Sequence, residues 1–253
     1  MTHSYDIKLA AQMAEASYEG QKNDSLAVAI RAELDEDDVQ ALFLKGDILL
    51  IPGSNSVADY LKFNLRVLNI GGKLYRLNDD TTEAGASRTI WHQGFLRFAQ
   101  VIFAWLEREN LRPKYIIGHS LGAAATQILV RSYGVPGIGF AAPRPRRSSG
   151  TIKHSELCLC INRDDDTVCD LPTSFHHMGH VHRAQAKSSV FGPDHSMKHY
   201  RRLIDEQMTA GALDVRWPTC GRFFVIFEHH TLQTRFANFA TLRDNIAKMY
   251  DLR

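Results

Sequence analysis

The chain has 253 residues, 44% of them hydrophobic and 23% charged, with a formal net charge of +2. Such a chain can bury a sizeable core, and its charge is too balanced for a nucleic-acid partner. No apolar run reaches the roughly 18 residues of a membrane span. The opening stretch, residues 1–20, has no basic region followed by an apolar run, so no secretory signal is expected. Cytoplasm is then the default location, with non-standard export as the alternative.

In chain order, residues 5–18 read as an amphipathic helix. "VQALFLKGDILLIPGS" reads as two strands joined by a tight turn at Lys45-Gly46-Asp47. Ser56 stands three residues before Asp59, a helix-start spacing. "NDDTTEAGASR" reads as loop. From Gln93 to Asn110, apolar residues recur at helical intervals. A strand over Lys114–His119 and a helix over Ser120–Ser132 follow. "VPGIGFAAP" and "SELCLCIN" read as buried parallel strands, with Cys158 and Cys160 on one sheet face. Pro143–Gly150 reads as a basic surface loop. "SMKHYRRLIDEQM" is predicted helical, "RFFVIFE" a strand, and the last segment a helix. Strands alternating with helices predict an α/β fold, a mostly parallel sheet covered on both faces, as one domain over 1–253.

Gly118-His119-Ser120-Leu121-Gly122 is a G-x-S-x-G sequence between an apolar strand and an Ala-rich helix. A nucleophilic serine must stand clear of the sheet, so the chain turns abruptly, and glycines at 118 and 122 admit close neighbours. The helix that opens there directs the Leu121 N–H toward an oxyanion. A serine nucleophile also needs a base and an orienting carboxylate. "RDDDTVCDLP" offers acids at the C-terminal end of a predicted strand, where open sheets carry ligands. "GPDHSMKHYRRL" offers His195 and His199.

Five stretches together resemble the class 3 lipases, the fungal-lipase-like branch of the α/β-hydrolases. They are "IPGSNSVADYLKFNL", "WHQGF", "GHSLGAA", "DTVCDLP" and "DHSMKHY", in the family's order over roughly residues 40 to 200. The resemblance implies an α/β-hydrolase fold and hydrolysis of lipid esters. It makes Ser120 the nucleophile, Asp166 the acid and His195 the base, with Asp164 and Asp165 as solvated neighbours. It assigns Ser54 to the oxyanion hole beside Leu121. It also implies a lid over Ser56–Leu65, where Val57, Tyr60, Leu61 and Phe63 would meet a lipid interface; an ordinary amphipathic helix is the alternative. Pro52 stands where the family has arginine, and Cys169 where it has proline.

The expected partner is a small-molecule or lipid ester, with transient lipid-interface contact, no nucleic acid and no transmembrane segment. No metal or cofactor is called for by this chemistry. His176, His177, His180 and His182 lack a helical i,i+4 pair with a nearby glutamate, and read as a histidine-rich loop near the site's rim. His119 is expected to pack or hydrogen-bond, and His92 to orient backbone. The alternative functions are an esterase for aryl or feruloyl esters, or a non-catalytic binding module of the same fold. Residues 211–253 lie beyond the resemblance.

Overall fold

The computed structural model describes residues 2–53, 67–76, 80–185 and 195–210, together with 213, 215, 217 and 218. Its centre is a seven-stranded sheet. The strands are β1 (Ile30–Glu36), β2 (Val39–Leu44), β3 (Ile48–Ile51), β8 (Tyr115–His119), β9 (Gly137–Phe140), β10 (Cys158–Arg163) and β11 (His180–Ala184), in that spatial order. The first two joins are antiparallel and the remaining four parallel. All residues of β3, β8, β9 and β10 are buried. That is why these segments read as unbroken apolar runs instead of alternating ones.

The period-2 geometry of the strands divides the core in two. Val39, Ala41, Phe43, Leu49, Ile51, Ile116, Cys158 and Cys160 face one side. There they meet α3 (Gln93–Arg108), through Phe95, Ile102 and Trp105, and α4 (Leu121–Tyr133), through Ala123 and Ile128. Leu42, Leu44, Ile48, Leu50, Ile117, Leu159 and Ile161 face the other side. They meet α1 (Thr2–Ala16) through Ile7 and Met13, and α5 (Met197–Thr209) through Leu203 and Ile204. A further short helix, α2, spans Asp24–Ala27. Helices on both faces of this mostly parallel sheet give the expected α/β architecture, with the α/β-hydrolase arrangement of strand, sharp turn and helix at its centre.

The predicted β2–β3 hairpin is present, pairing Leu44 with Ile48. Gly46 and Asp47 take positive φ at its turn, and the Asp47 carboxylate holds Arg31 at 2.7 Å and Lys114 at 2.8 Å.

Several features depart from the sequence reading. "NDDTTEAGASR" is not all loop: β6 (Thr82–Ala84) pairs antiparallel with β7 (Ile90–His92). Its polar side chains carry no strand signal, and the partner imposes the extended form. A second hairpin, β4 (Val67–Ile70) and β5 (Lys73–Arg76), turns at Gly71-Gly72, both with positive φ. The basic loop at 143–150 is solvent-facing only over its second half. Pro143, Pro145 and Arg146 are buried, and Arg146 pairs its backbone with Trp91 and His176.

The predicted helix start at Ser56, the lid candidates Val57, Tyr60, Leu61 and Phe63, the strand "RFFVIFE" and the terminal helix lie outside the described residues.

Candidate active site

The site forms where β8 ends and α4 begins. Ser120 lies between them at φ 57°, ψ −122°, a conformation that costs a non-glycine residue about 1–3 kcal/mol. Close packing holds it. A Cβ on Gly122 would lie 2.0 Å from the Ile51 carbonyl oxygen, and one on Gly118 would lie 2.4 Å from the Gly122 carbonyl oxygen. The two glycines therefore let α4 press against the ends of β3 and β8. The Ser120 N–H donates to the Phe140 carbonyl at 2.9 Å, tying the turn to β9.

Asp166 follows β10. Its side chain caps the 3₁₀ turn Thr167–Asp170 by accepting the Val168 N–H at 3.1 Å. His195 precedes α5. The Ser120 hydroxyl donates to His195 Nε2 at 2.7 Å, and His195 Nδ1 donates to Asp166 Oδ2 at 2.8 Å. A hydroxyl, an imidazole and a carboxylate from distant parts of the chain thus lie in continuous hydrogen-bonding contact. Asp166 is almost fully buried. Burial alone would raise its pKa. The hydrogen bond and charge of His195, the Tyr200 hydroxyl and the Val168 N–H outweigh it and hold the carboxyl below its usual range.

Tyr200 is a site residue that sequence reasoning misses. Its hydroxyl donates to Asp166 Oδ2 at 2.8 Å and accepts the Arg163 N–H at 3.0 Å. Burial pushes its pKa well up, so it stays a neutral donor. The available signal was its position as the last letter of "DHSMKHY", one turn into a predicted helix.

The neighbouring acids separate clearly. Asp164 is exposed as expected. Asp165 is not merely solvated: it receives Arg163 through both Nε and Nη2 at 2.9 Å. His199, the rival base, bonds instead to the Ser196 hydroxyl at 2.8 Å.

Of the two oxyanion candidates, Leu121 is the first residue of α4, so its N–H has no intrahelical acceptor. Ser54 lies outside the described residues. Its neighbour Gly53 is described, and the Gly53 N–H donates to the Tyr18 hydroxyl at 2.8 Å.

His92 caps α3, accepting the Phe95 N–H at 3.4 Å, while its Nε2 donates to the Arg76 carbonyl at 3.1 Å. Its role is to join backbone segments. The histidine-rich stretch is divided between a loop and the edge strand β11. His177 Nε2 donates to the Ala142 carbonyl at 2.8 Å, and His180 and His182 belong to β11. Among the described residues, no group of His, Cys, Asp or Glu has a metal-holding arrangement. Among them also, no helix is long and apolar enough to cross a membrane.

No protein-family model matches the chain, and no curated protein matches it. Several solved fungal lipases are similar to it in structure. Lip2 lipase from Yarrowia lipolytica aligns with TM-score 0.37 at 14% identity, over 60% of this chain and 64% of that one. The match therefore spans less than two thirds of that lipase. In its nonglycosylated form Lip2 gives TM-score 0.47 at 15% identity, over 76% and 83%. A triacylglycerol lipase from Penicillium expansum gives 0.40 at 15%, over 70% and 77%.

Proposed function

We propose that this chain is a serine carboxylic-ester hydrolase acting on lipid esters. The observation that carries the proposal is the unbroken contact Ser120–His195–Asp166, with Ser120 on a strained strand-to-helix turn. The direction of each bond supports it. With Nδ1 donating to Asp166, His195 Nε2 has its lone pair toward Ser120 and can take the hydroxyl proton.

In the proposed reaction, Ser120 Oγ attacks the ester carbonyl as its proton passes to His195. Asp166 fixes the imidazole tautomer and stabilises the imidazolium. The Leu121 N–H, at the positive end of α4, binds the oxyanion together with the N–H assigned to Ser54. His195 returns the proton to the leaving alcohol. The remaining acyl-enzyme is hydrolysed by a water that His195 activates in the same way.

Lipid over other esters rests on the five-segment resemblance and on the lid it implies over Ser56–Leu65. The test is twofold. A fluorophosphonate probe should label the protein and fail to label Ser120→Ala; labelling that survives the substitution overturns the nucleophile assignment. Across p-nitrophenyl esters of rising acyl length, activity should persist to long chains; collapse beyond short chains would leave an esterase and remove the lipid preference.

A further inference from the structure

The residue before the nucleophile, His119, is only 3% exposed and takes no part in the proton path described above. Its Nε2 lies 2.9 Å from the His195 backbone carbonyl. A carbonyl can only accept, so Nε2 carries the proton and Nδ1 presents a lone pair. That lone pair faces the Tyr18 hydroxyl, which therefore donates to it. The Tyr18 oxygen in turn accepts the Gly53 N–H at 2.8 Å. The direction of every bond follows: Gly53 N–H to Tyr18, Tyr18 O–H to His119, His119 N–H to the His195 carbonyl.

The groups are packed as well as bonded. The Tyr18 and His119 rings meet edge to face with centroids 5.6 Å apart, and the His119 and His195 rings are 5.2 Å apart. A Cβ at Gly53 would lie 2.7 Å from the Tyr18 oxygen and 2.8 Å from Ser120 Cβ, so the residue-53 backbone runs directly beside the nucleophile. Both bridging side chains are held neutral. Burial, helped by the neighbouring His195, pushes His119 down to about 3, and burial pushes Tyr18 upward. A neutral chain of fixed direction holds atoms in place and passes no proton.

We propose that Tyr18 and His119 are positioning residues that clamp the His195 backbone against Ser120 and, from the other end, hold the Gly53 backbone beside the nucleophile. This rests on the serine-hydrolase reading. It adds that the exit of the N-terminal helix, remote in sequence, holds both the backbone of the base and the backbone of Gly53. With its N–H engaged by Tyr18, Gly53 is not an oxyanion donor.

The test uses Tyr18→Phe, His119→Leu, His119→Gln and His119→Asn in the full chain. Each is measured for kcat and KM on a short p-nitrophenyl ester, fluorophosphonate labelling rate and urea midpoint. Gln carries its amide nitrogen near the place of imidazole Nε2 and keeps the His195 link. Asn carries its oxygen near the place of Nδ1 and keeps the Tyr18 link. Tyr18→Phe and His119→Leu should lower kcat and labelling rate about 10- to 100-fold with KM nearly constant, the cost of misplacing reacting groups. Gln should recover more of kcat than Leu, because it retains the bond to the base. Full kcat in Tyr18→Phe, a loss in KM alone, or no rescue by Gln over Leu overturns the clamp while leaving the hydrolase reading intact. If Leu does not fold, the comparison of Gln with Asn decides, and equal kcat in the two overturns the clamp. A wild-type chain that neither labels nor turns over esters overturns the hydrolase reading itself, and the clamp with it.

Discussion

Asp166→Asn removes one charge and almost no volume. In the wild-type chain, Oδ1 accepts the Val168 N–H, while Oδ2 accepts both His195 Nδ1–H and the Tyr200 hydroxyl. An amide cannot reproduce this pattern. If its oxygen stays on Val168, the new NH₂ faces His195 and forces the proton from Nδ1 to Nε2. His195 then presents N–H to Ser120 and cannot take its proton. If the amide flips, its NH₂ meets the buried Val168 N–H. The first arrangement costs less, so the wrong tautomer dominates. The lost charge-assisted bond is worth about 1.5–3 kcal/mol, or roughly 10- to 150-fold. The tautomer error supplies the rest of a fall in kcat near 10⁴-fold, about 5.5 kcal/mol. The assay is kcat and KM on a p-nitrophenyl ester with near-UV circular dichroism as the folding control. A folded Asp166→Asn enzyme within tenfold of wild type would refute the assignment of Asp166 as the orienting acid.

Tyr200→Phe removes one of the two donors to Asp166 Oδ2 and should lower kcat about tenfold, by roughly one hydrogen bond to a charged group; unchanged kcat would make Tyr200 a packing residue only. His199→Ala should stay within about twofold of wild-type activity, since loss of its bond to Ser196 touches no reacting group; a loss like that of Ser120→Ala would transfer the base role to it. Gly122→Ala drives a methyl into the Ile51 carbonyl, so its urea midpoint should correspond to at least about 3 kcal/mol of lost stability. Stability should also fall in mild acid. His119 and His177 are pushed down, mainly by burial, to about 3 and about 4. Below pH 6.5 the unfolded chain protonates both while the folded chain protonates neither. Unfolding therefore gains up to about 1.4 kcal/mol per pH unit from each histidine, until pH nears 4 for His177. Urea midpoints at pH 7.5, 6 and 5 should decline in that order; a flat profile would mean that neither imidazole is held neutral.

How much was legible in the sequence follows from the range of each signal. Central strands and the helices around them were readable because burial on both sheet faces demands unbroken apolar runs, and because helix periodicity survives in Gln93–Arg108. Ser120 was readable because the steric conflict its turn must avoid is local: strand, turn and helix adjoin in the chain, and only glycine fits at 118 and 122. Asp166 and His195 needed the family resemblance to be chosen among Asp164, Asp165 and His199, since nothing local distinguishes adjacent carboxylates or two histidines four residues apart. The separate two-stranded hairpins around Thr82–Ala84 and Val67–Arg76 were missed because strands of three or four residues are too short to show a period and take their form from a partner.

The sequence by itself determined the α/β alternation, the glycine-flanked serine and a short field of candidate acids and bases. Tertiary structure alone decided which of them meet. It turned Asp165 to Arg163 and Asp166 to His195, set Tyr200 behind the carboxylate, and joined Tyr18 to His119 across 101 residues of chain. Hydrogen-bonding partners depend on distance and direction in space. A chain encodes these only through the packing of all its elements, whereas periodicity and glycine sterics act between near neighbours.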